Sequence, residues 1–462
     1  MGLSDSVRSL FKQRSRKTRV EPQSVAAPLA DRLVREHNAS APKGTAALPS
    51  FKATAADQID RRRADRFTTM RMKLRNAFTP SQPILDRHMF AGRTEVLSGM
   101  IGSIEDQRLH LVIYGERGIG KTSLLHMLAD AARDARYIVV YSSCGAASNF
   151  QETFRSAAAE IPLLFHSSFA PTTEEAEMGS TLADLLPESF SPRQFADLCV
   201  KLTGTRALIM LDEFDRCGSA DFRRDLAELI KFLSDRSVRV QLVIGGVAAD
   251  LSDLIEHIPS IRRNILAVRV PRMTDDEVRA MVASGERASG LVFDPAARDF
   301  IVRLSRGWPY IACLLCHHSG LHALDSSRTA VLAEDVAAAL DESLAELRTR
   351  MSKNVLMQIE RLTSEVVGAK LLTAIAGISL SAGGEFGSFD IEVAPLKAAE
   401  TANAKRYAEQ LANERVLLER RDDTKGGDYG FVEDGLAPYL WFLGAQREYQ
   451  DSLQKAQRAS NG

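Results

Sequence analysis

The segment Gly115-Glu116-Arg117-Gly118-Ile119-Gly120-Lys121-Thr122 matches the phosphate-binding pattern G-x-x-x-x-G-K-[ST] without a mismatch. An apolar run at 111–114 leads into it, and a helical pattern that starts at Ser123 follows it. A strand, a glycine-rich loop and a helix in that order place backbone N–H groups around phosphate oxygens. The segment therefore predicts a parallel α/β fold with a site for a nucleoside triphosphate.

The polar positions of this loop have separate predicted roles. Lys121 brings a compact positive charge to the β- and γ-phosphates and is a candidate catalytic residue, and the Thr122 hydroxyl can ligate Mg²⁺. The residues expected to contact the nucleotide here are Gly115, Gly118, Ile119, Gly120, Lys121, Thr122 and Ser123.

Two acidic residues follow a second apolar run, at 207–211. They are Asp212 and Glu213. The carboxyl end of that strand is expected beside the phosphate-binding loop, where Asp212 can hold Mg²⁺ directly or through water. Glu213 is then placed to act as general base on the attacking water. The alternative is that both acids only begin a polar loop.

Two weaker patterns add candidate site residues. Phe90 and Arg93 lie in a turn that enters a helix, and they either contact the base of the nucleotide or form an ordinary helix start. Arg262 and Arg263 precede the last predicted strand. They either stabilise charge on the γ-phosphate bound by a neighbouring subunit or form a solvated basic pair.

Five apolar runs separated by helix-length stretches predict the sheet. Runs that are apolar on both faces are typical of parallel strands covered by helices on both sides. The predicted strands are 109–114, 137–142, 207–211, 240–244 and 265–270. The polar stretch 161–189 is predicted to be an insertion at the sheet edge.

The pattern divides the chain into five parts. They are a basic, partly disordered arm at 1–78, the nucleotide-binding core at 79–270, a helical lid at 271–350, a winged helix-turn-helix at 352–445 and a tail at 446–462. The lid begins with Thr274, a helix cap followed by acids in the first turn. Helices followed by a hairpin are the order of a winged helix.

DNA contact by the winged helix stays open. The candidate recognition helix, about 400–413, carries Lys405 and Arg406, and further basic residues lie on or beside the wing: Arg415, Arg420, Arg421 and Lys425. Acidic residues are interspersed among them: Glu409, Glu414, Glu419, Asp422 and Asp423. A winged helix can read the major groove, but a protein contact or a purely structural role fits this charge pattern as well.

Charge is spread unevenly along the chain. Residues 1–78 contain 17 Lys/Arg and 7 Asp/Glu, a net charge of +10, whereas the whole chain has −1. Such an arm can bind a nucleic-acid backbone or an anionic lipid surface, or remain unbound; membrane contact by residues 1–20 is the weaker expectation. No apolar stretch reaches the 20 or so residues of a membrane span, and five cysteines form no secreted disulfide framework. A cytoplasmic protein is expected.

These motifs together resemble AAA+ ATPases, and more narrowly the branch of origin-recognition-like and archaeal-type ATPases that borders the STAND signalling NTPases. The resemblance rests on F-x-G-R-x-x-E from Phe90, the loop at Gly115, the Asp212-Glu213 pair and the arginines before the last strand. It implies a P-loop parallel sheet with a helical lid and a C-terminal winged helix, and ATP and Mg²⁺ as cofactors. It also places Pro309 of the lid against the nucleotide.

The chain departs from this pattern in two places. The fourth strand ends in Gly245 and Gly246, where the family usually has a polar residue that senses the γ-phosphate, and Gly307-Trp308-Pro309 replaces a nucleotide-contacting arginine of the lid. We therefore expect slow hydrolysis. Three uses of the site stay open: a DNA-associated ATPase of replication, transposition or plasmid maintenance, a signalling or defence switch that assembles with itself or a protein partner, and a scaffold that scarcely hydrolyses ATP.

Overall fold

The computed structural model describes residues 66–460 except 81, 117, 169–178, 237, 247–258, 383, 416, 421–428 and 434. Several predicted features lie outside the described residues. They are most of the basic arm, the middle of the insertion, Arg117 of the loop, and the wing residues Arg421, Asp422, Asp423 and Lys425. None of the helices in the described part has the length and apolar character needed to cross a membrane.

The nucleotide-binding core is a five-stranded parallel sheet with helices on both faces. In chain order its elements are α2 (Thr94–Glu105), β1 (His110–Tyr114), α3 (Lys121–Asp134), β2 (Ile138–Ser143), α4 (Phe150–Ala159), α5 (Pro192–Val200), β3 (Ala207–Asp212), α6 (Ala220–Asp235), β4 (Val240–Gly246) and β5 (Ile265–Arg269). The strand order is β2-β3-β4-β1-β5. All five predicted strands are confirmed, with ends shifted by one or two residues.

Burial of both faces explains why these runs form central strands. β3 and β4 are buried at every position. One hydrophobic cluster packs α4, α5 and α6 on one face, and another packs α2 and α3 on the other. Because the strands are parallel, the loops after β1 and β3 meet at the carboxyl edge of the sheet. The phosphate-binding loop and Asp212 are thereby brought together.

The stretch 161–189 is packed more closely than a surface insertion. Two short 3₁₀ helices, Leu163–Phe165 and Leu182–Leu185, bury Leu163 and Leu182 in the core beside α4. A bridge between Pro162 and Thr181 closes the described part of the excursion. The described ends of this segment therefore belong to the core packing.

The lid consists of helices joined by a small two-stranded sheet. Its elements are α7 (Asp275–Ser289), β6 (Val292–Phe293), α8 (Pro295–Ser305), α9 (Pro309–Asp325), β7 (Ala330–Val331) and α10 (Ala333–Thr349). The cap expected at Thr274 is present, because its side chain accepts from the Glu277 N–H while Glu277 accepts from the Thr274 N–H.

The boundary predicted at residue 78 is wrong. Helix α1 (Arg66–Ala77) packs against α7 and α9 of the lid, with Met70, Leu74 and Phe78 buried in the lid core. The chain divides instead between Arg63 and Ala64. Basic residues cover the outer face of α1, while apolar residues four apart face inward.

The C-terminal part, named the winged helix after its prediction, combines helices with a three-stranded sheet. Its elements are α11 (Lys353–Thr363), α12 (Val366–Ala382), β8 (Glu385–Phe386), α13 (Ser388–Val393), α14 (Ala398–Glu414), β9 (Leu418–Arg420), β10 (Tyr429–Phe431) and α15 (Leu436–Ser460). The antiparallel strand order is β8-β10-β9. α14 corresponds to the expected recognition helix. The order helix, strand, helix, helix and hairpin agrees with a winged helix, and that assignment stays a prediction.

The predicted tail at 446–462 is also corrected. Helix α15 continues through the proposed boundary to Ser460 and packs against α12 and against α10 of the lid. A single hydrophobic cluster joins α1, the lid and the winged helix. These three parts therefore share one core, separate from the two clusters that flank the sheet.

Candidate functional site

The phosphate-binding loop has a backbone conformation suited to an anion. β1 delivers the chain to Gly115, and α3 begins at Lys121. Gly120 has a φ of 91°, in a region that L side chains rarely adopt, and a Cβ there would lie 2.9 Å from Arg93 Nη1. Ile119 is buried and anchors the loop in the core. Consecutive residues in such conformations form a concave nest of backbone N–H groups.

Lys121 is folded back onto its own loop. Its Nζ donates to the carbonyl oxygens of Gly115 at 2.8 Å and Glu116 at 2.9 Å. These bonds hold the ammonium group over the cradle. Phosphate oxygens are stronger acceptors because they carry charge, so Lys121 can exchange the carbonyls for them.

Thr122 and Asp212 meet as the sequence predicts. The Thr122 hydroxyl donates to Asp212 Oδ2 at 2.8 Å, although the two residues lie on different elements. A hydroxyl and a carboxylate side by side next to a phosphate cradle are the hard oxygen ligands that Mg²⁺ prefers. The donor set therefore fits this cation.

Tyr141 is a site residue that no sequence pattern singled out. Its hydroxyl donates to Asp212 Oδ2 at 2.7 Å from the neighbouring strand β2, and its ring stacks on His126 with centroids 4.7 Å apart. Burial, followed by the hydrogen bond to Asp212, raises the pKa of Tyr141. The phenol therefore stays protonated and donates to the carboxylate. Its position near the end of β2 was the only available signal.

The glycine at the end of β4 is imposed by Asp212. A Cβ on Gly245 would lie 2.9 Å from Asp212 Oδ1 and 2.8 Å from Leu125 Cδ1. Asp212 Oδ1 also accepts the Glu213 N–H at 2.8 Å, which fixes the carboxylate in this place. The missing sensor side chain noted in the sequence thus has a steric reason, since a Cβ at this position requires Asp212 or Leu125 to shift.

Glu213, the predicted general base, is held by two neighbours. Its Oε2 accepts from Arg216 Nη1 at 2.8 Å and from Ser143 Oγ at 3.2 Å. Both partners of the Arg216 ion pair are about half exposed. Exposed pairs of this kind contribute about 0–1 kcal/mol, so the carboxylate can be released at little cost. Arg216 was not identified from the sequence.

Arg93 takes a position different from the base contact that the sequence suggested. Its guanidinium donates to the carbonyl oxygens of Ile119 and, at 2.9 Å, Pro271, and its backbone N–H donates to Glu277 Oε1 at 2.6 Å. Burial lowers the pKa of Arg93 to about 10, still far above neutrality. Arg93 thus supports the phosphate-binding loop through the Ile119 carbonyl and links it to Pro271 and to Glu277 of the lid.

Phe90 and Ser123 also support the loop rather than point freely into the site. Phe90 is half-buried against the cluster that holds Ile119. Ser123 Oγ accepts the Ile84 N–H at 3.0 Å, which fastens the segment before α2 to the start of α3. A contact of either residue with nucleotide stays a prediction.

A charged link joins the loop to the lid. Glu116 pairs with Arg272 at 3.0 Å, and the Arg272 guanidinium lies 5.2 Å from the ring centroid of Trp308. Both charged side chains are mostly buried. Burial raises the pKa of Glu116 and lowers that of Arg272, and in each case the partner's charge opposes the shift. Arg272 was missed because it belongs to no motif.

The start of α9 lies against the loop. Tyr310 Cβ lies 3.4 Å from the position of a Cβ on Gly118, and the Tyr310 hydroxyl accepts from Arg350 Nη1 at 3.0 Å. Pro309 is the first residue of the same helix. The structure therefore brings the predicted lid residue to the side of the site, while its contact with nucleotide stays a prediction.

Arg262 and Arg263 lie away from the loop of their own chain. They form the end of a 3₁₀ helix, Pro259–Asn264, directly before β5, and both are exposed. Because β5 is parallel to β1, its start lies at the sheet edge opposite the loop. Any action of these arginines on a nucleotide would have to involve another subunit.

Replacing Gly245 with alanine is expected to impair Mg²⁺-dependent ATP binding. The added methyl must displace Asp212 or Leu125, and overpacking of this kind costs about 1–3 kcal/mol, on the order of tenfold or more in affinity. Titration of ATP with and without Mg²⁺ measures this effect. Gly218→Ala is the matched control, since a Cβ there meets no atom within 4 Å. Equal Mg²⁺ dependence in the two variants would contradict the assignment of Asp212.

Solved structures offer distant likenesses. The ORC1 protein of Aeropyrum pernix in complex with DNA is 15% identical, with a TM-score of 0.41 over 80% of this chain and 95% of that one. The Walker-type ATPase of Pyrococcus abyssi is 16% identical, with a TM-score of 0.45 over 79% and 99%. The RuvB branch migration motor of Thermotoga maritima is 16% identical, with a TM-score of 0.39 over 74% of this chain and 93% of that one. At these scores the likenesses carry no argument about function.

No curated protein matches the chain. Residues 104–255, however, match the family model described as an AAA domain. This match spans the phosphate-binding loop, the Asp212-Glu213 pair and strands β1 to β4. Together with the parallel sheet and the geometry of the loop, this match makes residues 104–255 similar to an AAA domain of the P-loop NTPase class.

Proposed function

We propose that this protein is a cytoplasmic ATPase of the origin-recognition-like branch that uses ATP as a conformational switch and hydrolyses it slowly. The contact between Thr122 and Asp212 beside the Lys121 ammonium carries this proposal. It combines a phosphate cradle with hard oxygen ligands at the edge of a parallel sheet. Mg²⁺, when bound there, supplies charge neutralisation between the β- and γ-phosphates.

The residues of the chain divide the work. Lys121 exchanges its two loop carbonyls for phosphate oxygens, and Thr122 and Asp212 would hold Mg²⁺. Glu213 accepts a proton from the attacking water once it leaves Arg216. Gly245 offers no side chain to the γ-phosphate, and the Arg216 pair competes for Glu213. The missing side chain at Gly245 favours a turnover below the enzyme median of about 10 per second, and the weak Arg216 pair adds little to this effect.

The lid and the winged helix are joined so that they move together. Arg306, two residues before Trp308, lies 4.0 Å from the ring centroid of Trp441 on α15 and donates to the Gly377 carbonyl at 3.1 Å. Trp308 connects through Arg272 to Glu116 of the loop. We propose that the state of the nucleotide reaches the winged helix through this chain of contacts.

Self-assembly or protein contact is the output that the winged helix favours. Lys405 of the candidate recognition helix forms an ion pair with Glu392, and Arg420 of the wing lies 3.4 Å from Glu409. Neutralised cations attract a phosphate backbone weakly. We therefore propose that the nucleotide-driven change controls a protein–protein contact, and homo-oligomerisation is the first such contact to test.

Binding of DNA is the second candidate, and the net charge of +7 in residues 1–63, from 13 Lys/Arg and 6 Asp/Glu, favours it. On this reading the arm, rather than α14, contacts the phosphate backbone.

Substitution of the two catalytic positions is expected to separate binding from hydrolysis. Lys121→Ala removes the charge that meets the phosphates and abolishes ATP binding. Glu213→Gln retains binding but loses hydrolysis, by about 100-fold or more for a lost general base. Equilibrium binding and phosphate release measure the two steps. Unimpaired hydrolysis by Glu213→Gln would remove Glu213 from its assigned role.

Breaking the charged link is expected to uncouple the lid while leaving ATP bound. Arg272→Gln loses the pairing with Glu116 and the contact with Trp308, worth about 1–3 kcal/mol together. The chain has two tryptophans, Trp308 and Trp441. Their fluorescence reports on changes in the lid and the winged helix. We expect a smaller ATP-induced change than in the wild type or in Arg279→Gln, which removes only lid surface pairs with Asp276 and Asp299. An undiminished change would contradict the coupling.

Removal of residues 1–63 is expected to distinguish the two outputs. This truncation spares α1, which belongs to the lid core. If assembly is the output, ATP-dependent oligomerisation in sedimentation persists without the arm and needs no DNA. If DNA is the partner, the full chain binds it with steep salt dependence and faster hydrolysis, and the truncated chain loses both. Oligomers that form equally without ATP would contradict the switch.

A further inference from the structure

Three arginines stand at the edge of the sheet opposite the nucleotide loop. Arg206 directly precedes β3, Arg239 directly precedes β4, and Arg108 lies two residues before β1. β3, β4 and β1 are neighbours in the sheet, with strands about 4.8 Å apart. Ala207 pairs with Val240, so Arg206 and Arg239 start level with each other. The parallel topology thus places three cations on adjacent strand ends.

These arginines line one pocket. It has a volume of about 300 Å³, and its other lining residues are Val238 and Gln241. Pockets for small ligands begin at about this size. Arg239 directly precedes β4 and lies two residues before Gln241, so the alternation of side chains along an extended segment puts both on the same face.

The positive charge of the pocket is not balanced by acids. Among the residues that the structure describes, no carboxylate forms an ion pair with Arg108, Arg206 or Arg239. The nearest acids in sequence, Asp106 and Asp235, form none with them. Within the same described residues, the hydrogen bond found for these three guanidinium groups is formed by Arg206. It is long, from Arg206 Nη1 to the Tyr137 hydroxyl at 3.5 Å. Three close cations repel one another, so an anion between them would be stabilised strongly.

Gln241 adds a requirement for a hydrogen-bond donor. The side chain is only 2% exposed, and its Nε2 donates to the Val238 carbonyl at 3.4 Å. Its Oε1 accepts no hydrogen bond from any described residue. A buried acceptor without a donor is costly. A ligand with both negative charge and an acidic O–H would satisfy the arginines and this oxygen together.

We propose that this pocket binds the phosphate group of a small molecule, such as pyrophosphate or a nucleoside phosphate. Phosphate provides several anionic oxygens for the bidentate guanidinium groups, and near neutral pH it retains a proton on one oxygen. The site is separate from the nucleotide loop, since it lies at the other ends of strands that carry Gly115, Asp212 and Gly245, about 20 Å away at 3.3 Å per residue.

Pyrophosphate binding by the full chain tests the proposal. The measurement is made by calorimetry in a Lys121→Ala background, so that the nucleotide loop does not contribute. We expect saturable binding at one site per chain, weakened on the order of tenfold or more by Arg206→Gln with Arg239→Gln. Arg287→Gln, an exposed lid arginine, is the control and should leave affinity unchanged. Sulfate, which carries no proton at this pH, should bind more weakly than orthophosphate.

Arg108→Gln provides a second variant in case the double variant fails to fold, because Arg108 is exposed and outside the strands. It should also weaken pyrophosphate binding. Absence of saturable pyrophosphate binding overturns the proposal, as does binding that survives loss of the arginines. In either case these residues only neutralise the carboxyl ends of α2 and α6, which lie just before Arg108 and Arg239 in the chain. A DNA duplex that binds through the same arginines while pyrophosphate does not would also overturn it, in favour of a nucleic-acid surface.

Discussion

A carboxylate buried at the end of β3 organises the nucleotide site. Asp212 is 3% exposed and needs hydrogen-bond donors in place of water. It receives them from Thr122, Tyr141 and the Glu213 N–H, which lie on three different segments. The start of α3, the end of β2 and the loop after β3 are therefore held in a fixed relation. The same carboxylate occupies the space that a side chain at Gly245 would need.

Local sequence signals predicted the core of this arrangement well. The loop at Gly115 has a fixed spacing, and the apolar strand runs identify themselves because both of their faces are buried. Thr122 and Asp212 could be paired from sequence, since parallel strands end at one edge. Tyr141, Arg216 and Arg272 could not be found in this way. Their roles depend on which residue lies next to them on a neighbouring strand or across the contact between loop and lid. No spacing along the chain encodes these neighbours.

The two boundary errors have a common physical origin. In α1 the basic residues dominate the composition, and the apolar set Met70, Leu74 and Phe78 is sparse although regularly spaced. In α15 the polar second half resembles a solvated tail. Composition weighs all faces of a helix equally, whereas burial depends on one face alone. Arg93 illustrates the same limit, because its sequence context indicated a site residue but not the direction of its side chain.

The shared core of the lid and the winged helix has a mechanical consequence. Two segments connect this body to the sheet, one before α2 and one at Pro271 to Thr274 between β5 and α7. Helix α15 alone has 25 residues, about 37 Å at 1.5 Å per residue. This body is attached beside the phosphate-binding loop, so a rotation at the attachment would act on it as on a lever. A slight rotation of this body at Pro271 would displace the far end of α15 by several ångströms without any change of packing inside the body.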